Sequence, residues 1–503
     1  MSDNATCHDL IKELREISLL SSVSSLLHWD EQTQLPPRGS EHRADQISLL
    51  ARMSHERFTS PRIGAWLGEL ETSDLARDPH SDLAVNVRET RRQYDRATRL
   101  PSALVEVMAR TGVLAQHAWV DARKKSNYSL FAPWLTKTLD LKRQEANCVG
   151  FRTTAYDALL DEFEPGETAA NLVNVFNSLR APLVELIGQI KDSGRKPPAE
   201  ILERSYPPAA QEDLARAAAS AVGFDFDSGR LDVSVHPFCS GLGPGDTRMT
   251  TRYDERYFPD AFFGVLHETG HGLYNQGLPA EHWGIPRGEY VSLGIHESQS
   301  RLWENFVGRS RPFWKFFLPK ARSAFPSALR DVSEDQWYAA VNEVRPSLIR
   351  TESDEATYNI HILLRFELEQ ALLSGDLPVA DLPSTWNQRM KAYLGVDVPD
   401  DARGCLQDIH WSGGAIGYFP TYTLGNLYAA QFFEQAQHDL GQLDQQFARG
   451  QFTPLLAWLR EKIHRHGKTF RAGALVQRIT GKPLSADPLL RHLRRKAAEV
   501  YGV

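Results

Sequence analysis

Residues 267–271 read His-Glu-Thr-Gly-His. Two histidines four apart act as a pair only on a helix. At 100° per residue, His271 falls about 40° from His267 and Glu268 about 100° from it. Both imidazoles then leave one face, with the carboxylate beside them. Two neutral imidazole nitrogens can hold one Zn²⁺, and the adjacent Glu can take a proton from water there. The flanks support a helix over 259–275, with Pro259 at a first helical position and Gly277 at the C-cap. Gly264, Gly270 and Gly272 interrupt it, each costing about 1 kcal/mol relative to alanine. Such a helix has a substrate backbone or a neighbouring strand passing close to it. The structural alternative is an amphipathic core helix with two hydrogen-bonded histidines.

The rest of the chain is mainly helical in pattern. Runs at 5–30, 101–124, 167–193 and 207–222 carry helical apolar spacing. At 503 residues and 42% hydrophobic, the chain can bury a large core. Length alone suggests about three domains, but no repeat or low-complexity linker divides it, and breaks such as QLPPRG punctuate helices. One region differs: 231–239 alternates as a strand does, 246–253 is rich in β-branched residues, and SGLGPG lies between. These segments predict a small antiparallel hairpin just before the metal helix.

A net charge of −7 argues against nucleic acid or a membrane surface as partner. The four cysteines are scattered, with neither a disulfide framework nor a zinc pattern, which suits a reducing compartment. The N-terminus lacks a signal-peptide pattern, and no stretch approaches the ~18 apolar residues of a membrane span. A cytoplasmic location is expected.

A catalytic zinc needs a third protein ligand and an open position. The long metzincin pattern would place Gly at 274 and His at 277; Tyr274 and Gly277 exclude it. The alternative is a carboxylate from a second helix, predicted over 290–309. It offers Glu297, 26 residues beyond His271, with Glu304 as competitor and His296 alongside. Glu289 sits nearer the preceding loop. Spacing alone leaves the choice open.

Residues 345–378 predict one long helix, started by Pro346 and stopped by Gly375 and Pro378. Arg350, Asp354, Tyr358, His361 and Arg365 make a polar stripe along it. The stripe is either a ladder of structural ion pairs or a device in which Asp354 orients Arg350 to grip a carboxylate. Residues 404–428 gather His410, Tyr418 and Tyr422 between glycines, each a candidate donor to an oxyanion.

Taken together, LLHWDEQTQLPPRG (26–39), HPF (236–238), DTRMT (246–250), HETGH, HESQS (296–300), IRTESD (349–354) and GCLQDIHW (404–411) resemble, in order, the motifs of the carboxypeptidase Taq family of zinc metallocarboxypeptidases. Ser353 departs from the family's usual alanine. The resemblance implies a mainly α, gluzincin-like fold with a deep central groove and a small sheet beside the zinc helix. Residues 1–503 would form one catalytic unit, with two helical lobes flanking the groove. It implies His267, His271 and Glu297 as zinc ligands, a site that also accepts Co²⁺, and Glu268 as general base. Arg350 would meet the substrate terminus, and His410 and Tyr422 would act near the catalytic centre. His236 and Arg248 would either bind substrate or brace the hairpin. Single residues would be released from peptides with a free C-terminus, with broad specificity, by a homodimer. The rivals are a helical zinc oligopeptidase cutting inside short peptides and a non-catalytic protein with structural zinc.

Overall fold

The computed structural model describes residues 2–503, with side chains from Asn4 onward. Among these residues are 21 α-helices and a single three-stranded sheet, which is the mainly α fold expected. The helices at 101–124, 167–193 and 207–222 form as Ser102–Lys125, Ala169–Asp192 and Pro208–Val222. The main apolar cluster draws on residues from Ala115 to Tyr501. A smaller one joins Leu10, Leu14, Ile17, Ile63, Leu67, Leu70 and Val87 to Ile285. No described helix is long and apolar enough to cross a membrane.

The long first helix α1 (Ser2–Thr33) forms one wall of the groove. Polar contacts hold it to the segment after the metal helix. Arg15 donates to the carbonyls of Glu281 and Trp283 at 2.8 and 3.3 Å, and Ser18 Oγ to that of Gly284 at 3.1 Å.

The sheet differs from the expected hairpin. Strand β1 (Gly229–Val233) runs parallel to β3 (Asp246–Thr251), and only β2 (Cys239–Gly243) pairs antiparallel with β3. The run 231–239 therefore breaks in its middle. Pro237 has no N–H for a ladder, and the 234–238 bend carries the chain to the far edge of β3. There Phe238 N–H donates to Thr250 Oγ1 at 3.0 Å.

The metal helix, α2 (Phe258–Gly277), is buried on most sides and has Pro259 near its start. Gly277 is its last residue and Leu278, extended, is the cap, so Gly277 is not the cap its position suggested. Gly270 and Gly272 find their reason in packing, whereas a Cβ on Gly264 would meet only Thr251 at 3.9 Å. A Cβ on Gly270 would sit 2.4 Å from the carbonyl oxygen of Gln299, and one on Gly272 would sit 2.6 Å from Phe224. At Gly270 the close neighbour is the backbone of α3 (Leu293–Arg301), a helix rather than a strand or substrate. Past Arg301, residues Leu302–Val307 widen into a π-turn, a feature often found at functional sites.

The long helix expected over 345–378 is also broken. Regular helix α4 covers only Thr357–Ser374, after a 3₁₀ turn at Arg350–Glu352. Asp354 causes the break. Its carboxylate accepts from the N–H groups of Arg345, Ala356 and Thr357 and from Thr357 Oγ1, at 2.6–3.0 Å. A carboxylate so engaged competes with a continuous helix and caps the next one. Helix α5 (Pro420–Leu440) packs closely on α3.

Candidate active site

The helix pair α2 and α3 sets the centre of the site. One nitrogen of His267, one of His271 and one oxygen of Glu297 lie within 4.8 Å of one another. The Nε2 atoms of His267 and His271 stand 3.7 and 3.5 Å from Glu297 Oε2. Donors about 2.0–2.2 Å from a tetrahedral zinc lie roughly 3.3 Å apart, so the three are nearly in place for a metal ion. Glu304 instead lies against Nδ1 of His267 and Glu289 pairs with Lys468, so neither joins this cluster of donors.

Contacts behind the donors fix their orientation. His267 Nδ1–H donates to Glu304 Oε2 at 2.9 Å, which leaves the Nε2 lone pair facing Glu297. His271 Nδ1 meets His296 Nδ1 at 2.5 Å, and His296 Nε2 lies 3.2 Å from Asn275 Oδ1. For His271 to offer Nε2 to a metal, its Nδ1–H must donate to an unprotonated His296 Nδ1. His296 then donates through Nε2–H to Asn275. Burial pushes the His296 pKa well below its ordinary value, which favours that neutral ring. Such outer contacts fix the tautomer and ring angle of a metal-binding histidine.

Arg301 braces both carboxylates. Its Nε donates to Glu297 Oε1 at 2.7 Å and its Nη1 to Glu304 Oε2 at 3.1 Å. Burial would raise the pKa of Glu297, but Arg301 and the two histidines hold it well below the usual carboxylate range. The same contest leaves Glu304 at about 2. Both are therefore anions, and both face positive or metal-binding neighbours. Glu268 is different. It is 7% exposed, opens onto the groove and makes no hydrogen bond among the described residues. Burial pushes its carboxyl up, against the pull of His267 and His271. A raised carboxyl beside a metal site can accept and return a proton.

The groove is a cavity of about 920 Å³ lined by His267, Glu268, His271 and Glu297 together with α1, β2, Tyr290, Tyr418 and Tyr422. His410 lies behind Tyr422, with Nε2 3.4 Å from the phenol oxygen. Burial lowers its pKa to about 4, so the ring is neutral near pH 7.

Arg350 is buried beneath Tyr422, its guanidinium 5.1 Å from that ring. Asp354 does not orient it, contrary to expectation, because Asp354 is spent on the helix cap. Asp408 does: Arg350 Nε and Nη2 donate to Asp408 Oδ1 at 3.0 and 2.8 Å, and Nη1 donates to Tyr358 at 2.9 Å. Asp408 also receives Arg365 Nε at 2.7 Å. Two guanidiniums thus share one carboxylate. The polar stripe is neither a ladder along one helix nor an Asp354–Arg350 pair, because the pairing partner comes from the 404–419 loop.

His236 is exposed on the 234–238 bend, and its carbonyl accepts from Ser234 Oγ at 2.7 Å. Arg248 grips Asp246 through two bonds of 2.8 Å and stacks 4.4 Å over Trp29 of α1. Neither side chain lines the groove.

Sequence reasoning passed over Arg301 and Asp408. Each stood in plain sight, four residues past Glu297 and two before His410, but no periodic or spacing signal marks a residue that acts by pairing across elements.

Two half-buried histidines and a buried carboxylate, with a raised acid beside them in the wall of a groove, define a metal-dependent hydrolase. The chain belongs to the carboxypeptidase Taq (M32) metallopeptidase family, whose model matches residues 9–497. It is 48% identical to thermostable carboxypeptidase 1 of Thermus thermophilus and 38% identical to carboxypeptidase 1 of Bacillus subtilis. Those alignments cover 100% and 97% of both partners respectively. The crystal structure of the M32 carboxypeptidase from Deinococcus radiodurans superposes with a TM-score of 0.96 at 40% identity, over 99% of this chain and 100% of that one. The protein is a metallocarboxypeptidase, a peptide hydrolase; nothing in these comparisons favours the two rival classes.

Proposed function

We propose that the chain removes single residues from peptides with a free C-terminus, at a zinc held by His267, His271 and Glu297. The convergence of those three donors, each oriented from behind, carries the reading. Zinc there would polarise the scissile carbonyl and acidify a water molecule, and Co²⁺ suits the same donors.

The chain's own groups supply the rest. Glu268 takes the proton of the attacking water and returns it to the leaving amine. Tyr422, at the groove and backed by His410, donates to the oxyanion that develops on the carbonyl oxygen; Tyr418 is the nearest competitor. Arg350 holds the α-carboxylate. Of its five N–H donors, three are engaged, so two remain for the substrate. The surplus charge of Arg350 and Arg365 over Asp408 supports an anion at this place. Arg248 braces the sheet against α1, and neither it nor the exposed His236 lines the groove, which leaves the chemistry to others. Four unpaired cysteines fit a cytoplasmic location, and a homodimer follows from the resemblance to the family.

Mass spectrometry of a free and an amidated peptide after incubation with the zinc-loaded enzyme tests this reading. The free peptide should yield a ladder of one-residue losses and the amidated one should stay intact. Cleavage of the amidated peptide at interior bonds would overturn it.

A further inference from the structure

We propose that Glu289 and Lys468 form a subsite that selects a basic side chain upstream of the scissile bond. The inference rests on the orientation given above, with the peptide's carboxylate toward Arg350.

The groove wall away from the metal is almost uncharged. Serines of α1, glycines of β2, Gln93 and Asn275 make up much of it. Lys468 is the one lysine or arginine among the described lining residues, and Glu289 the one carboxylate outside the metal centre. Neutral, small residues accommodate a peptide backbone without discriminating side chains. Charge can discriminate only where this pair stands.

The pair is held in place by backbone contacts. Gly467, at φ 49°, lets its turn press against Arg287; a Cβ there would lie 1.9 Å from the Arg287 carbonyl oxygen. Arg88 donates to the carbonyls of Lys468 and Thr469 at 3.2 and 3.1 Å. The Lys468 ammonium donates to Glu289 Oε2 and lies 5.9 Å from the Tyr290 ring.

Contacts also give its direction from the metal. The rings of His271, His296 and Tyr290 follow one another at 4.6 and 4.9 Å between centres, the first pair tilted and the second edge-on, leading to Lys468. Arg350 is reached along another line, from Glu297 through Arg301 and Tyr358, whose ring lies 4.4 Å from Arg301 and 5.7 Å from Arg350. Because the donor residues and Lys468 line the same groove, a peptide with its terminus at Arg350 can run its upstream residues toward Lys468. At ~3.3 Å per residue, the pair falls within roughly five residues of the cut bond.

Exposure sets the sign. The Lys468 side chain is 12% exposed and that of Glu289 38%. Glu289 Oε1 has no bonded partner among the described residues. An incoming cation meets that oxygen directly, whereas an anion must pass Glu289 to reach Lys468. Partial exposure keeps the effect to a few-fold.

The test uses the full-length, zinc-loaded enzyme and peptides of one C-terminal residue, with Lys or Glu at each of five upstream positions. We expect the Lys/Glu ratio of kcat/KM to be about three to five at one position. Glu289→Gln should bring it to about one, and Lys468→Met should enlarge it. A purely structural clamp would lower kcat/KM for all peptides alike in both variants, and that result overturns the proposal. Should either variant fail to fold, the wild-type ratio still decides, because raising salt must shrink it and a salt-independent ratio is contrary. In a companion series with Lys or Glu as the C-terminal residue itself, a charge effect found there and at no upstream position would refute the orientation along with the subsite. Ordinary one-residue release with no charge effect anywhere would refute the subsite alone.

Discussion

Two buried ionic clusters flank Tyr358, and they are unbalanced in opposite senses. Around the metal position, Glu297 and Glu304 pair with Arg301 and, at 3.6 Å from Glu304, Arg309, while Glu268 stands beside them with no ion pair to an arginine or lysine among the described residues. Below Tyr422, Arg350 and Arg365 share Asp408. The first cluster has carboxylate to spare and suits a cation; the second has guanidinium to spare and suits an anion. Buried charge is costly unless paired, so an imbalance persists where a ligand completes it. The difference teaches that one protein can mark the two ends of a substrate site by the sign of the charge it leaves unmatched.

The comparison breaks most severely at Glu268. Glu268→Gln should lower kcat by about 10³-fold or more, in the range of lost proton-transfer catalysis. Metal analysis should still find one zinc per chain; near-normal turnover would remove Glu268 from the chemistry. Next comes the cationic cluster. Arg350→Met should cut kcat/KM on free peptides by roughly 10²-fold, mostly through KM, and leave zinc content unchanged. If peptides with a free terminus are cut as before, Arg350 does not meet the carboxylate.

A smaller effect separates donors from the groups behind them. Glu304→Gln keeps a hydrogen-bond acceptor for His267 but removes the charge, and zinc affinity measured by competition with a chelator should fall about 10- to 100-fold. Unchanged affinity would reduce Glu304 to an ion-pair partner of Arg301. The least effect is expected at Asp354, where Asp354→Ala removes a helix cap. About 1 kcal/mol of stability should be lost in denaturant titration, with KM unaltered. A large rise in KM with full stability would restore Asp354 as the orienter of Arg350.

Much of the site could be read without coordinates. HETGH sits on one helix, and a helical repeat of 3.6 residues fixes the relation of residues four apart whatever surrounds them. The ordered motifs of the family resemblance, and not spacing, favour Glu297 over Glu304 and Glu289. The polar stripe misleads because periodicity puts Asp354 inside a helix, whereas its carboxylate binds the N–H groups that start α4. The hairpin misled because alternation marks a strand but does not say which neighbour it pairs with. Here β3 takes β1 on one edge in parallel and β2 on the other.

The sequence by itself determined the helical class, the placement of His267, Glu268 and His271 on one face, and the chemistry those side chains permit. All three follow from local geometry, which a short segment carries with it. Tertiary structure alone decided that Asp408 rather than Asp354 holds Arg350, that Arg301 braces two carboxylates, and that Gly270 serves the approach of a second helix. Those facts depend on which elements come to lie against each other, and that is settled by packing over the whole chain.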